Sequence, residues 1–221
     1  MFKNALALFS VSLLLFFVAC APKKIGIPAF APKSLDELIS EKNGISEIDT
    51  SFEIVFKKPD TEISGNGTLN IHKNSDLNLR VYSIGLLMME LSSKNNVIKS
   101  NPRLDKNRTA ILTQGLRDCF FWWDIRDFKV SEKEEGIYFL ENQKRSLWID
   151  KKTSLPIKQT IRFDDGKELS IFYDNPAERD GRWYQSRIRI EHSKNTVILT
   201  VKNISFKNSP NSQARDQQQQ F

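Results

Sequence analysis

The chain has 221 residues, with 33 Lys and Arg against 27 Asp and Glu, a formal net charge of +6 and 39% hydrophobic residues. That length carries about one domain with a sizeable core. Its cations are scattered among acids rather than gathered in a block, which argues against a nucleic-acid-binding stripe and for a mixed, solvated surface.

The chain opens on a leader. Lys3 supplies a positive start, Ala5 to Ala19 is apolar or small, and Cys20 follows. The run is short of the roughly 20 apolar residues that span a bilayer. A charged start, a short apolar core and a small residue before a cut make residues 1–19 a signal peptide. Phe17-Val18-Ala19-Cys20 resembles the lipobox of bacterial lipoproteins, with Phe17 where that box usually carries Leu. The resemblance implies lipidation of Cys20: its thiol takes a diacylglycerol, the bond after Ala19 is cut, and the new amine is acylated with a fatty acid such as palmitate. Each buried methylene contributes about 0.8 kcal/mol, so several chains hold a soluble domain to a membrane. Ala21 stands where an aspartate would retain a lipoprotein in the inner membrane, so the resemblance implies the outer membrane, with the domain facing the periplasm. An acylated Cys20 also leaves Cys119 without a partner for an intramolecular disulfide. Cys119 lies beside Phe120, Phe121, Trp122 and Trp123 and reads as a small buried hydrophobe.

Residues 20–33 read as a lipidated tether, because Pro22, Pro28 and Pro32 discourage regular structure and Lys23 and Lys24 suit a headgroup layer. Ser34 and Glu37 form a capping-box pattern ahead of a helix with Leu35, Leu38 and Ile39 on one stripe, ended by Asn43-Gly44. Short alternating segments follow: Phe52 to Phe56, Thr68 to His72, Leu77 to Val81, and Leu86 to Leu91 after a tight Ser83-Ile84-Gly85 connection. Each carries the two-residue period of a half-buried strand. Gly65-Asn66-Gly67 reads as a turn or bulge. Asp105 to Trp123 reads as a helical insertion capped by Asp105 and interrupted by Gly115. Strands resume at 136–141, 145–150, 156–163, 168–173, 184–191 and 196–201, with Asp165-Gly166 and Lys194-Asn195 turning two of the pairs. The half-barrel domain is expected to span 34–208, with residues 209–221, which include four consecutive Gln, as a disordered polar tail.

The expected fold is mainly β with α, a long antiparallel sheet that curls and is covered by helices. Its order resembles the LolA/LolB superfamily. The resemblance rests on "LNLRVYSIGLLMMELSSKNN", on "LWIDKKTSLPIKQTIRFDDGKELSIFYDN" and on "RIRIEHSKNTVILTVKNISF", and it covers about residues 34 to 207. It implies a half-open barrel with an apolar cavity for the acyl chains of a passenger lipoprotein, and the lipid anchor favours the LolB-like branch. The cavity lining is then expected from Phe52, Ile54, Phe56, Leu79, Val81, Met88, Trp122, Trp148, Phe163 and Phe172. The acceptor branch hands its passenger to the membrane with an apolar loop. The matching connection here is the short one at Ser83-Ile84-Gly85, where Ile84 or Leu86 stands in as the membrane contact.

Catalytic and metal-binding patterns are not found in the sequence. His72 and His192 are the two histidines, both placed on polar strand faces as exposed residues, without a second ligand at metal spacing. The expectation is a non-enzymatic envelope protein without cofactor or metal. Its partners would be the membrane, acyl chains of lipoproteins or lipids, and a periplasmic carrier protein, with no nucleic acid. One functional reading is a lipid-binding acceptor or chaperone in lipoprotein transport. The other is an anchored scaffold or assembly factor that uses the fold for shape.

Overall fold

In the computed structural model, residues 33–209 are described, apart from Asn96 and residues 132–134. Helix α1 (Leu35–Asn43) leads into five strands, β1 (Ile45–Lys58), β2 (Thr61–His72), β3 (Leu77–Ser83), β4 (Leu86–Lys94) and β5 (Val97–Asn101). A helical insertion follows: α2 (Lys106–Ala110), a π-helical turn (Ile111–Gly115) and α3 (Leu116–Phe120). The chain then returns through β6 (Lys129–Ser131), β7 (Ile137–Glu141), β8 (Arg145–Asp150), β9 (Leu155–Arg162), β10 (Glu168–Arg179), β11 (Arg182–His192) and β12 (Asn195–Asn208). All twelve form one antiparallel sheet in the order β5-β4-β3-β2-β1-β12-β11-β10-β9-β8-β7-β6. The sheet is curled and not closed, a half-open barrel with the insertion against its inner face.

Each half of the chain is a meander, and the halves meet along β1 and β12. These two 14-residue strands pair from Ile45 opposite Asn208 to Lys57 opposite Thr196. On the inner face of β1, Ile48, Phe52 and Ile54 are buried, while Glu53 and Lys57 point outward. On its outer face a polar ladder crosses three strands. Asn70 Nδ2 donates to Glu47 Oε1 and Asp49 Oδ1, each at 2.6 Å, and Lys207 Nζ lies 2.7 Å from both carboxylates. The Lys207 hydrogen bond holds the Glu47 carboxyl below its usual range. Burial raises Asp49, but the bonds from Asn70 and Lys207 outweigh it and lower that carboxyl too.

Curling requires backbone close to backbone on the inner face of β2, and glycine supplies it. Phe52 stands opposite Gly67 across the β1–β2 pair, and a Cβ on Gly67 would lie 2.3 Å from the Phe52 ring. A Cβ on Gly65 would lie 2.4 Å from the carbonyl oxygen of Tyr82, at the place where β3 slips register between Val81 and Tyr82. Gly65-Asn66-Gly67 is therefore the middle of a strand paired in continuous register with β1, not the turn or bulge that its composition suggests. The pair of glycines bends the sheet, and an aromatic ring covers the gap that one of them leaves.

The ends of the elements follow local rules. Ser34 Oγ accepts from the Glu37 amide, and Glu37 Oε2 accepts from the Ser34 amide at 2.9 Å, completing the capping box. The buried stripe of α1 is Leu35, Leu38 and Lys42, with Ile39 partly buried beside it. Asp105 caps the insertion through its Oδ1, which accepts from the Arg108 amide at 2.9 Å. The insertion is helical to Phe120, so Trp122 and Trp123 lie in the turn beyond it. Gly115 brings the π turn onto the sheet, since a Cβ there would meet Leu169 at 3.2 Å and Ile190 at 3.3 Å. Two short edge strands, β5 and β6, carry no alternation that the sequence reading detects. His192 is buried at 4% exposure, with Nδ1 2.9 Å from the Glu168 carbonyl oxygen, rather than exposed on a polar face.

Candidate functional site

The inner face of the sheet is largely filled. Ile111, Leu112, Leu116, Cys119, Phe120, Phe121, Trp122, Trp123 and Ile125 are all buried against it. Phe121 and Trp122 both meet Trp123 edge-on, at centroid distances of 5.5 and 5.4 Å. This geometry suits the ring quadrupoles.

A buried polar lattice holds that aromatic turn in place. Arg145, on β8, donates through Nη1 to the Asp124 carbonyl at 2.8 Å and through Nη2 to the Trp122 carbonyl at 3.0 Å. Its Nη2 also donates to Gln159 Oε1, and Gln159 Nε2 donates to the Asp118 carbonyl at 3.2 Å. Arg117 pairs with both Asp118 and Asp124, and Arg145 Nη1 lies 3.7 Å from Asp118 Oδ1. Burial pulls the Arg117 guanidinium down, and the two carboxylates more than reverse it. Tyr173 Oη donates to the Cys119 carbonyl at 3.3 Å. Burial pushes the Cys119 thiol well above its ordinary range, with Asp118 adding to it, so the thiol stays neutral and is a poor nucleophile.

One pocket that the insertion helps to wall, of about 210 Å³, lies at the end of the half-barrel where the β1–β2 and β3–β4 hairpins turn. Ile54, Phe56, Ile63, Gly65, Val81, Met88, Met89, Pro102, Leu104 and Leu112 line it, and its one charged lining residue is Arg108. The guanidinium of Arg108 lies 5.4 Å above the Phe56 ring.

The β3–β4 hairpin beside this pocket is apolar and exposed. Ser83 pairs with Leu86, which leaves Ile84-Gly85 as a two-residue turn. Both have positive φ, +50° and +77°, as a type I′ turn requires. Ile84 is 99% exposed and Leu86 69%. Leu87, Met88 and, on β2, Ile63 are also more than half exposed. A β-branched residue at positive φ is disfavoured by about 1–2 kcal/mol, and an exposed side chain recovers none of it by packing. Asn-Gly is the usual choice at such a turn.

The residues expected to line a cavity are therefore divided. Ile54, Phe56, Val81 and Met88 lie on this pocket, and Ile84 and Leu86 stand beside it on the exposed hairpin. Phe52 and Leu79 are buried in the core. Trp122 borders a separate, small space of about 30 Å³ near α1. Trp148 and Phe172 share a cation–π ladder: Lys158 lies 5.1 Å from the Trp148 ring and 5.6 Å from that of Phe172, and Arg189 is 4.1 Å from Phe172. That ladder faces away from the inner residues Leu147, Gln159 and Ile171. Phe163 packs edge-on to His192 at 5.1 Å. Cys20 lies outside the described residues. Sequence reasoning missed Ile63, Met89, Pro102, Leu104, Arg108 and Leu112. Ile63 shares the alternation of Leu69 and Ile71 and was within reach of the strand pattern.

A larger depression, about 630 Å³, is a wide groove lined mostly by polar residues, Asp49, Asn70, Arg80, Asn203 and neighbours. Its charged residues are paired with neighbours outside the groove, Asp49 with Lys207, Arg80 with Glu90 at 2.8 Å and Arg179 with Asp180 at 3.6 Å. It lacks the enclosed apolar wall of a ligand site. We therefore place the candidate site at the smaller pocket. Among the described residues, no group of three or more His, Cys, Asp or Glu is placed to hold a metal ion.

A curled twelve-stranded sheet, a helical insertion on its inner face and an apolar pocket at one end define a LolA/LolB-like fold. Among solved structures, a DUF1329 family protein from Desulfovibrio piger is similar at a TM-score of 0.55 and 10% identity, over 78% of this chain and 90% of that one. A LolA superfamily protein from Nitrosomonas europaea is similar at a TM-score of 0.51 and 15% identity, over 81% and 96%. At such identities the likeness carries the fold alone. No protein-family model matches the chain, and no curated protein matches it.

The buried lattice makes a quantitative prediction. Arg145→Met leaves Gln159 Oε1 and the carbonyls of Trp122 and Asp124 buried without their donor, with Arg117 still paired to Asp118, and should cost about 3–5 kcal/mol in urea unfolding. A loss below about 1 kcal/mol would show that the lattice does not hold the aromatic turn.

Proposed function

We propose that this protein is a lipid-binding envelope lipoprotein, anchored to the outer membrane through Cys20, whose half-barrel takes an acyl chain into the pocket of Ile54, Phe56, Val81 and Met88. The β3–β4 hairpin touches the lipid surface, with Ile84 and Leu86 as the membrane contact. The observation that carries the proposal is the fully exposed Ile84 in a strained turn beside an apolar opening. A residue that lowers stability and buries nothing in the free protein has a reason to be there when a second apolar surface covers it. The acyl chain would come from a lipoprotein or a membrane lipid, and a periplasmic carrier protein would be the natural donor.

A second reading has its own support. The aromatic insertion fills most of the inner face, and 210 Å³ is below the roughly 300–1,000 Å³ of common ligand pockets. A non-enzymatic anchored scaffold needs no larger cavity.

Two substitutions test the proposal. Ile84→Asn should raise stability by about 1 kcal/mol, because asparagine tolerates positive φ, and should weaken binding of the protein to phospholipid vesicles. Unchanged vesicle binding would remove the hairpin from the mechanism and favour the scaffold. Labelled palmitate should enter the wild type and not Cys20→Ala; equal labelling of both would end the anchor.

A further inference from the structure

The acyl pocket has one charged lining residue, and that residue has unused hydrogen-bonding capacity. Arg108 Nε lies 3.0 Å from Asp105 Oδ2. It is off the line of the N–H, so the contact is an ion pair without a hydrogen bond. Asp105 is itself committed to the helix cap through Oδ1 and is more than half exposed. Among the described residues the two terminal nitrogens of the guanidinium make no hydrogen bond. The guanidinium carbon lies 5.4 Å from the centre of the Phe56 ring, and the planar fork suits two parallel bonds to a carboxylate or phosphate.

The dimensions restrict the rest of the ligand. About 210 Å³ walled by Phe56, Val81, Met88 and Leu112 is below the usual range for a drug-sized molecule. Leu112 and Leu116 belong to the insertion that fills the space beyond. Part of one alkyl chain fits, and a bundle of chains does not.

Building on the acyl-pocket reading above, we infer that the ligand is a single-chain lipid with an anionic head, its chain in the pocket and its head on the Arg108 fork. The shared head chemistry is an oxyanion with two oxygens free to accept, supplied by a fatty-acid carboxylate or a monoalkyl phosphate.

Competition against a fluorescent fatty-acid probe on the full chain tests this with four compounds: dodecanoate, dodecyl phosphate, dodecanol and a triacylated lipopeptide. At least one anion should displace the probe about tenfold better than the alcohol, as a charge-assisted pair at a partly exposed arginine implies, and the tighter anion names the head. In Arg108→Gln the ratio of anion to alcohol should collapse towards one, and Arg108→Lys should restore part of it as a point charge without the fork. Equal binding of anions and alcohol would overturn the inference and leave the acyl pocket standing. So would an anion preference that survives in Arg108→Gln, or a lipopeptide that outcompetes every single-chain compound. Failure of the probe and of all four compounds to bind would overturn the acyl-pocket reading itself.

Discussion

Arg145 reaches from β8 into the turn after α3 and holds the carbonyls of Trp122 and Asp124 while its charge faces Asp118. The rest of the molecule depends on this contact. It seats Phe121, Trp122 and Trp123 on the inner face of a sheet that would otherwise expose apolar surface along its whole length. Each fully buried large apolar side chain contributes on the order of 1.5–3 kcal/mol, so the insertion is a main part of the core and not a lid laid over a finished barrel. Buried ion pairs often add little net stability against an apolar replacement. Here the lattice satisfies backbone carbonyls that the turn cannot pair internally, and so specifies where the aromatic residues sit.

Filling the half-barrel in this way decides what remains for function. The insertion occupies much of the inner face, and an apolar pocket lies at the hairpin end, where Gly65 lets β3 bend inward and Arg108 covers the ring of Phe56. The same end carries Ile84, Leu86, Leu87 and Met88 on a hairpin exposed to solvent. An apolar opening and an apolar projection side by side form one continuous surface. Such a surface fits a lipid interface better than it fits water.

Much of the fold was legible in the sequence because strand alternation, capping and hairpin turns are local signals. Ser34 with Glu37, Asp105, and Asp165-Gly166 sit where their chemistry placed them. Three features were not legible, each because a tertiary neighbour overrides a local preference. Gly65 and Gly67 look like a turn, and become mid-strand only because Tyr82 and Phe52 come close to them. Lys42 looks like a solvated helix end, yet it is 8% exposed on the stripe of Leu35 and Leu38, with its ammonium 5.9 Å from the Trp123 ring; burial lowers its pKa, Glu41 opposing and Arg182 adding. Trp148 and Phe172 look like inner residues by size alone, but alternation puts Leu147 and Ile171 inside and the aromatic rings outside against Lys158 and Arg189. Four of the residues that line the candidate site, Ile54, Phe56, Val81 and Met88, came from the strand pattern. The wall supplied by Leu104, Arg108 and Leu112 did not, because it depends on how the insertion folds back.

The central claim is that the hairpin end of the half-barrel faces lipid, and methyl-selective NMR of the protein titrated with phospholipid nanodiscs tests it most directly. The account predicts shifts and broadening concentrated at Ile63, Ile84, Leu86, Leu87 and Met88. Val130 and Ile157, which are exposed elsewhere on the sheet at 49% and 38%, should stay unperturbed. Equal perturbation of Val130 and Ile157, or a silent Ile84, would contradict it.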